Sequence, residues 1–286
     1  YSNGLRTSST TPDSSRSCSI GRRISSPMPD IVGERRASQG RLRFMLSGSS
    51  PSSVFSTEQL LDRFASGTAR QRRGLISTVE KRAADLASLG GSLLERFDRQ
   101  GDDWAVGWVL QVLQRHTPGE LSELLAAWPD GWFITESSVG IDYAPLQRDL
   151  LQENYEAADR FTSAVLRQLA GAQAEQRGYV YFSEVPAMAG LDLTSMDRLW
   201  CAYSQGRFGF TIQARLLEAL DGRYEQLWPR IGWKENGVWT RYPRAFTWSI
   251  KAPEGHMPLV NQLRGVRLMD ALLQHPALVA RRSEPR

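Results

Sequence analysis

The chain has 286 residues, 41% of them hydrophobic, with two Cys, three His, a formal net charge of +4 and a pI near 9.3. The charge is segregated: residues 1–55 hold eight Arg against three acids, residues 259–286 hold five Arg against two acids, and the intervening stretch is net −4. A surface that binds phosphate backbone needs Lys and Arg clustered on the folded part, so this distribution argues against nucleic-acid binding. No apolar run approaches the ~18 residues that a membrane-spanning helix requires.

Taken in chain order, residues 1–55 are rich in Ser, Thr and Arg and lack periodicity, which predicts a disordered leader with the composition of an organelle transit segment. From Thr57 the pattern turns helical. Leu60, Leu61 and Phe64 share a face, and Leu75, Ile76, Val79, Ala83 and Leu86 continue at spacings of three and four. With further helices expected over 92–97, 104–115 and 119–127, residues 56–135 read as a helical bundle. Trp104, Trp108, Val112, Leu121, Leu124 and Leu125 are its expected core.

A second block, residues 140–258, opens at Gly140, where Asp142 is placed to cap a helix. Glu153-Asn154 then turns the chain into a helix with Tyr155, Ala158, Phe161, Val165 and Leu169 inward. Residues 179–192 form a looser stretch, followed by a helix through Leu199, Trp200 and Tyr203 and another starting after Phe208-Gly209-Phe210. Beyond Leu220 the pattern is irregular, but Asn236-Gly237 between apolar pairs predicts a hairpin turn. Residues 259–286 form a basic tail with Leu259, Leu263, Val266 and Leu273 near helical spacing, suited to packing back, touching a partner or lying on a membrane surface. The expected fold class is all-α: a helical bundle followed by a mainly helical core with long loops.

Catalytic sets are missing from the sequence. No Gly-rich phosphate loop follows a strand, no nucleophile elbow appears, and His116, His256 and His275 are too scattered to form a zinc site. Cys18 and Cys201 suggest neither a disulfide framework nor a thiolate metal site. The distinctive feature is aromatic density: fourteen aromatic residues lie between 179 and 248, punctuated by Arg198, Arg207, Arg230, Lys234, Arg241 and Arg244. A flat apolar ring bearing carboxylates would suit such a surface, although core filling is the commoner use of aromatic side chains.

The stretch from Leu191 to Gln213, with Tyr203-Ser204-Gln205-Gly206-Arg207-Phe208-Gly209-Phe210 at its centre, resembles the signature of the genomes-uncoupled-4 family of porphyrin-binding magnesium-chelatase activators. Blocks at Gly140–Asp159, Arg230–Trp239 and Ala252–Pro258 agree with that family in the same order. Residues 56–135 also resemble the helical domain that precedes the core in cyanobacterial relatives. The resemblance implies a non-catalytic protein that binds protoporphyrin IX and Mg-protoporphyrin IX, with bilins as further candidate ligands. It implies delivery of porphyrin to the large porphyrin-binding subunit of magnesium chelatase in chlorophyll biosynthesis, a link to retrograde signalling, and a chloroplast location in the stroma with peripheral thylakoid or envelope contact as an option.

On this sequence the family's first ligand loop corresponds to about residues 179–193, supplying Phe182, Val185, Pro186 and Met188. The second corresponds to Arg230–Trp239, with Arg230, Trp233, Lys234 and Trp239 as its ligand-binding residues. Lys234 stands where the family's second Arg is expected, and it lacks the bidentate fork that orients a carboxylate. Covering on the order of 400 Å² of macrocycle at ~25 cal/mol/Å² gives roughly 10 kcal/mol before association costs, against roughly 0–1 kcal/mol for an exposed ion pair. Affinity is therefore expected from the apolar walls, and direction from the cations. The alternative reading is a helical adaptor that binds a protein partner through the same hydrophobic cup.

Overall fold

A computed structural model describes residues 55–260 and 266–283; the expected leader up to residue 54, with Cys18, lies outside them. The first helices start where the sequence offers reciprocal caps. The Ser56 hydroxyl accepts the Gln59 N–H at 3.1 Å while the Gln59 side chain accepts the Ser56 N–H at 3.1 Å, and this opens α1 (Thr57–Ser66). Thr68 and Gln71 repeat the arrangement to open α2 (Ala69–Lys81). α3 (Ala83–Ala87) and a 3-10 segment (Gly90–Arg96) follow.

α4 (Trp104–His116) is buried at every position from Trp104 to Leu113, the signature of a helix enclosed on all sides. Its inner neighbour is α9 (Gly190–Ala202), and Gly107 permits the crossing: a Cβ at that position would lie 2.0 Å from the Ala202 carbonyl oxygen. Buried apolar residues of 56–135 and of 140–258 consequently share one core, with Leu60, Val109, Trp200 and Phe208 all fully buried within it. α5 (Pro118–Leu124) completes the amino-terminal helices.

α6 (Ala144–Leu151) and α7 (Tyr155–Ala170) pack together across a turn at Glu153, whose φ is 59°. Phe161 and Leu169, expected inward on α7, are only half-buried, because Asp159 and Thr162 take the buried face instead. Thr162 is satisfied there: its hydroxyl donates to the Ala158 carbonyl at 2.9 Å and accepts the Trp200 indole N–H at 2.9 Å. α8 (Ala172–Arg177) ends at Gly178 in the left-handed region, and a 3-10 turn (Phe182–Ala187) leads into α9. The sequence pattern left this stretch irregular.

α10 (Phe210–Glu218) starts where the motif places it. α11 (Tyr224–Arg230) lies in a region read as irregular, its signal masked by Gly222 before it and Pro229 within its last turn. β1 (Lys234–Glu235) and β2 (Val238–Trp239) form the expected hairpin, with Lys234 opposite Trp239 and both turn residues, Asn236 and Gly237, at positive φ. Among the described residues no helix is long and apolar enough to cross a membrane.

The tail, over its described residues, packs back as α12 (Val266–Leu273) and α13 (Pro276–Ser283), burying Leu268, Met269, Leu272, Leu273 and Leu278. Arg281 fixes it. Its Nε donates to Asp197 at 2.7 Å and a terminal nitrogen donates to Asp102 at 2.5 Å. Burial alone would disfavour the charge on Arg281, but Asp197 and Asp102 more than offset it and raise its proton affinity. Removing one partner of a buried pair leaves the other charge uncompensated, at a cost of ~3–5 kcal/mol. Arg281→Met is therefore expected to lower the unfolding free energy by about that amount in urea titrations, while a loss of under ~1 kcal/mol would show that the pair is dispensable.

Candidate ligand-binding cavity

Five segments of the chain converge on an open cavity of about 780 Å³. α7 supplies Arg160, Ser163, Leu166 and Arg167, a set spaced three and four apart and therefore on one face of the helix. The segment after α8 supplies Tyr179, Val180, Val185 and Met188. Trp239 to Tyr242 come from the end of the hairpin and the loop beyond it, Leu259 and Val260 from the end of the core, and Leu268 and Leu272 from α12. The walls are mainly apolar, and the volume falls in the ~300–1,000 Å³ range of pockets that bury most of a drug-sized ligand.

Of the sequence-predicted site residues, Val185, Met188 and Trp239 line this cavity. Phe182 and Pro186 belong to the same 3-10 turn but face outward; Phe182 is 45% exposed beneath the Arg267 guanidinium, 5.6 Å from its ring. The turn is held by Glu184, whose carboxylate accepts the Tyr181 N–H at 2.8 Å and the Arg177 guanidinium at 2.7 Å. Burial opposes ionisation of Glu184, yet the Tyr181 N–H and the Arg177 guanidinium together outweigh it and keep its carboxyl below the ordinary range.

The second predicted cluster is arranged as a buttress. Trp233 is buried, stacks on Trp228 at 5.8 Å and donates its indole N–H to the His256 carbonyl at 2.8 Å. Trp228 in turn contacts Trp239 at 5.5 Å, so the wall residue rests on a stack of indoles. Lys234 sits 3.4 Å from Glu225 and 5.4 Å from the Trp239 ring centre, and Arg230 is exposed at the end of α11; neither lines the cavity.

The cations that do line it are Arg160, Arg167 and Arg241, with the hydroxyls of Ser163, Thr240 and Tyr242 beside them. Sequence reasoning missed Arg160 and Arg167 because charged residues on an amphipathic helix read as solvated surface. Their only signal was the i, i+3, i+7 alignment with Ser163. Arg241 was noted among the cations between the aromatics without a position. Among the described residues no group of three or more His, Cys, Asp or Glu is placed to hold a metal ion.

His256 is engaged at both ring nitrogens. Nδ1 donates to the Ile231 carbonyl at 2.7 Å and Nε2 accepts the Thr247 N–H at 3.3 Å, which fixes the tautomer and leaves no lone pair for a metal. Burial pushes its pKa below 6.5, although the bond to Ile231 pulls the other way. With the folded value below the unfolded one, the stability it contributes is complete above pH 6.5 and is lost as the pH falls through the folded value. Unfolding free energies measured from pH 7.5 to 5 should therefore fall more steeply for the wild type than for His256→Gln; parallel curves would contradict the assignment.

Comparison with known proteins places these features. The model of a family described as GUN4-like matches residues 136–276. A Ycf53-like protein of Synechocystis sp. is 46% identical over 173 residues, covering 60% of this chain and 74% of that protein. A tetrapyrrole-binding protein, chloroplastic, of Arabidopsis thaliana is 33% identical over 141 residues, 46% of this chain and 53% of the Arabidopsis protein. A solved structure of GUN4 from Chlamydomonas reinhardtii matches with 34% identity over 51% of this chain and 93% of its own, at a TM-score of 0.48. The matched segment contains all five segments that converge on the cavity, the whole of α12 included, and with a relative 46% identical over most of that relative's length, the chain belongs to the GUN4-like family.

Proposed function

We propose that the chain binds a cyclic tetrapyrrole in this cavity without transforming it. The observation that carries the reading is the pairing of broad apolar walls, from Leu166, Val185, Met188, Trp239 and Leu272, with three guanidinium groups on the same cavity. A macrocycle is flat and greasy over its faces and carries carboxylates at one edge, so walls and cations match different parts of one ligand. Membership of the family and the name of the Arabidopsis relative support it.

Protoporphyrin IX and Mg-protoporphyrin IX are the expected ligands, with open-chain bilins as an alternative able to fold into the same space. The accessory role follows: the protein holds a photosensitising pigment and hands it to the large porphyrin-binding subunit of magnesium chelatase, raising chelatase activity. The plastid is the proposed compartment, in keeping with the chloroplastic name of the Arabidopsis relative. Stromal residence with peripheral membrane contact is the finer form of that proposal.

Titration with protoporphyrin IX should quench tryptophan fluorescence at micromolar ligand, with Trp239 on the wall and Trp233 two rings behind it. Trp239→Phe should remove a large part of the quenching and leave affinity within a few-fold. Arg241→Ala should weaken binding by roughly threefold to tenfold, since each cation contributes on the order of 1 kcal/mol, while Arg230→Ala should have a smaller effect. Unquenched fluorescence at saturating porphyrin would favour a protein or peptide as the occupant of the cup.

A further inference from the structure

α7 carries a carboxylate behind the cavity wall that ligand binding, as described so far, leaves unused. Asp159 is wholly buried and lies one turn before Ser163 and two before Leu166, both on the wall. Its Oδ1 accepts the Leu259 N–H at 2.6 Å, which fixes the segment that places Leu259 and Val260 on another side of the cavity. Its Oδ2 is buried without a well-formed hydrogen bond among the described residues, the Tyr242 phenol being the side-chain donor that bears on the carboxyl. The charged and titratable groups facing it are Glu156 and Arg160 from α7, themselves paired at 2.5 Å, and the Tyr242 phenol from the loop after β2. Arg160 and Tyr242 both line the cavity.

A carboxylate oxygen removed from water without a full set of well-formed hydrogen bonds disfavours the anion. A proton on Oδ2 relieves that cost and leaves Oδ1 free to keep the Leu259 N–H. Burial accordingly pushes the Asp159 carboxyl up to about 7, against the opposing pull of Leu259, Tyr242 and Arg160. An ordinary Asp titrates near ~3.9 and carries a fixed charge at neutral pH. Here one unit of charge beside Arg160 appears and disappears in the neutral range.

We propose that Asp159 makes ligand binding proton-linked: its neutral form leaves Arg160 to the carboxylates of the bound tetrapyrrole, and its ionised form sets a negative charge behind the rim that weakens their hold. This rests on the reading that a carboxylate-bearing tetrapyrrole occupies the cavity. Linkage is reciprocal, so carboxylates bound at the rim raise the proton affinity of Asp159 and binding takes up protons near neutrality. Ligand is held more tightly on the acid side and loosened as the pH rises.

The test uses the full chain and deuteroporphyrin, a dicarboxylic porphyrin, titrated between pH 6 and 8.5 with the wild type and Asp159→Asn. Asn keeps an acceptor for Leu259 and carries no charge. Wild-type affinity should fall on the order of fivefold across this range, as expected for one added like charge near the rim, while Asp159→Asn stays close to the acid-side value. Calorimetry in two buffers of different ionisation enthalpy should show fractional proton uptake by the wild type near pH 7 in excess of that by the variant. The porphyrin's own titration is common to both proteins and cancels in the comparison. Equal pH slopes and equal proton uptake would overturn the proposal while leaving tetrapyrrole binding intact; no binding by either protein at any pH would overturn both. Should Asp159→Asn fail to fold, Tyr242→Phe removes a group that holds the carboxyl down and should move the midpoint of the affinity curve to higher pH, and an unmoved midpoint would equally overturn the proposal.

Discussion

The buried carboxylate of Asp197 is the interaction on which the arrangement turns. It is fully enclosed, and from α9 it accepts the backbone N–H of Thr211 at 2.9 Å, the Thr211 hydroxyl at 2.7 Å and Arg281 at 2.7 Å. The first two bonds start α10, and the third holds α13. Gly209 is required beside it, since a Cβ there would lie 2.8 Å from Oδ1. Asp197, Gly209 and Thr211 thus form one device, with Arg281 supplying the counter-charge from 84 residues away and reaching on to Asp102 in the loop before α4. A buried anion of this kind is tolerable only when every lone pair has a donor, which gives this motif little freedom to vary.

From that anchor the cavity follows. α13 positions α12, and α12 packs against the 3-10 turn that carries Val185 and ends at Met188. The opposite wall is Trp239, set by the hairpin and propped by Trp228 and Trp233, and Trp233 is tied to His256, whose ring is itself clamped between Ile231 and Thr247. The aromatic residues therefore divide by role. Trp200, Phe208 and Trp233 are buried in the core, and Trp239 and Tyr242, both more than a third exposed, line the cavity. Walls that are prearranged need little ordering when a rigid ring enters, so more of the burial free energy appears as affinity.

Much of this was legible in the sequence, and the failures have physical causes. The helical pattern from Thr57, the helix over 104–115, the hairpin at Asn236-Gly237 and the α10 start after Gly209 follow local rules of periodicity and turn chemistry, and those rules act over a few residues. Of the residues expected on the first ligand loop, Val185 and Met188 line the cavity while Phe182 and Pro186 face out, because a 3-10 turn and the residue that caps it present their side chains on several sides. The cations were harder. Arg160, Arg167 and Arg241 reach one cavity only after α7 and the loop beyond β2 are brought together, and no local pattern encodes that meeting. Asp159 broke the pattern in the other direction, a charged residue on a buried face whose partner, Leu259, lies 100 residues on.

The most direct test of the account is a crystal structure of the protein with a bound dicarboxylic porphyrin. It should show the macrocycle between Leu166, Val185, Trp239 and Leu272, with carboxylates directed to Arg160, Arg167 or Arg241 and the Trp228–Trp233 stack unmoved. A porphyrin seated outside this cavity, or carboxylates pointing away from all three guanidinium groups, would contradict it.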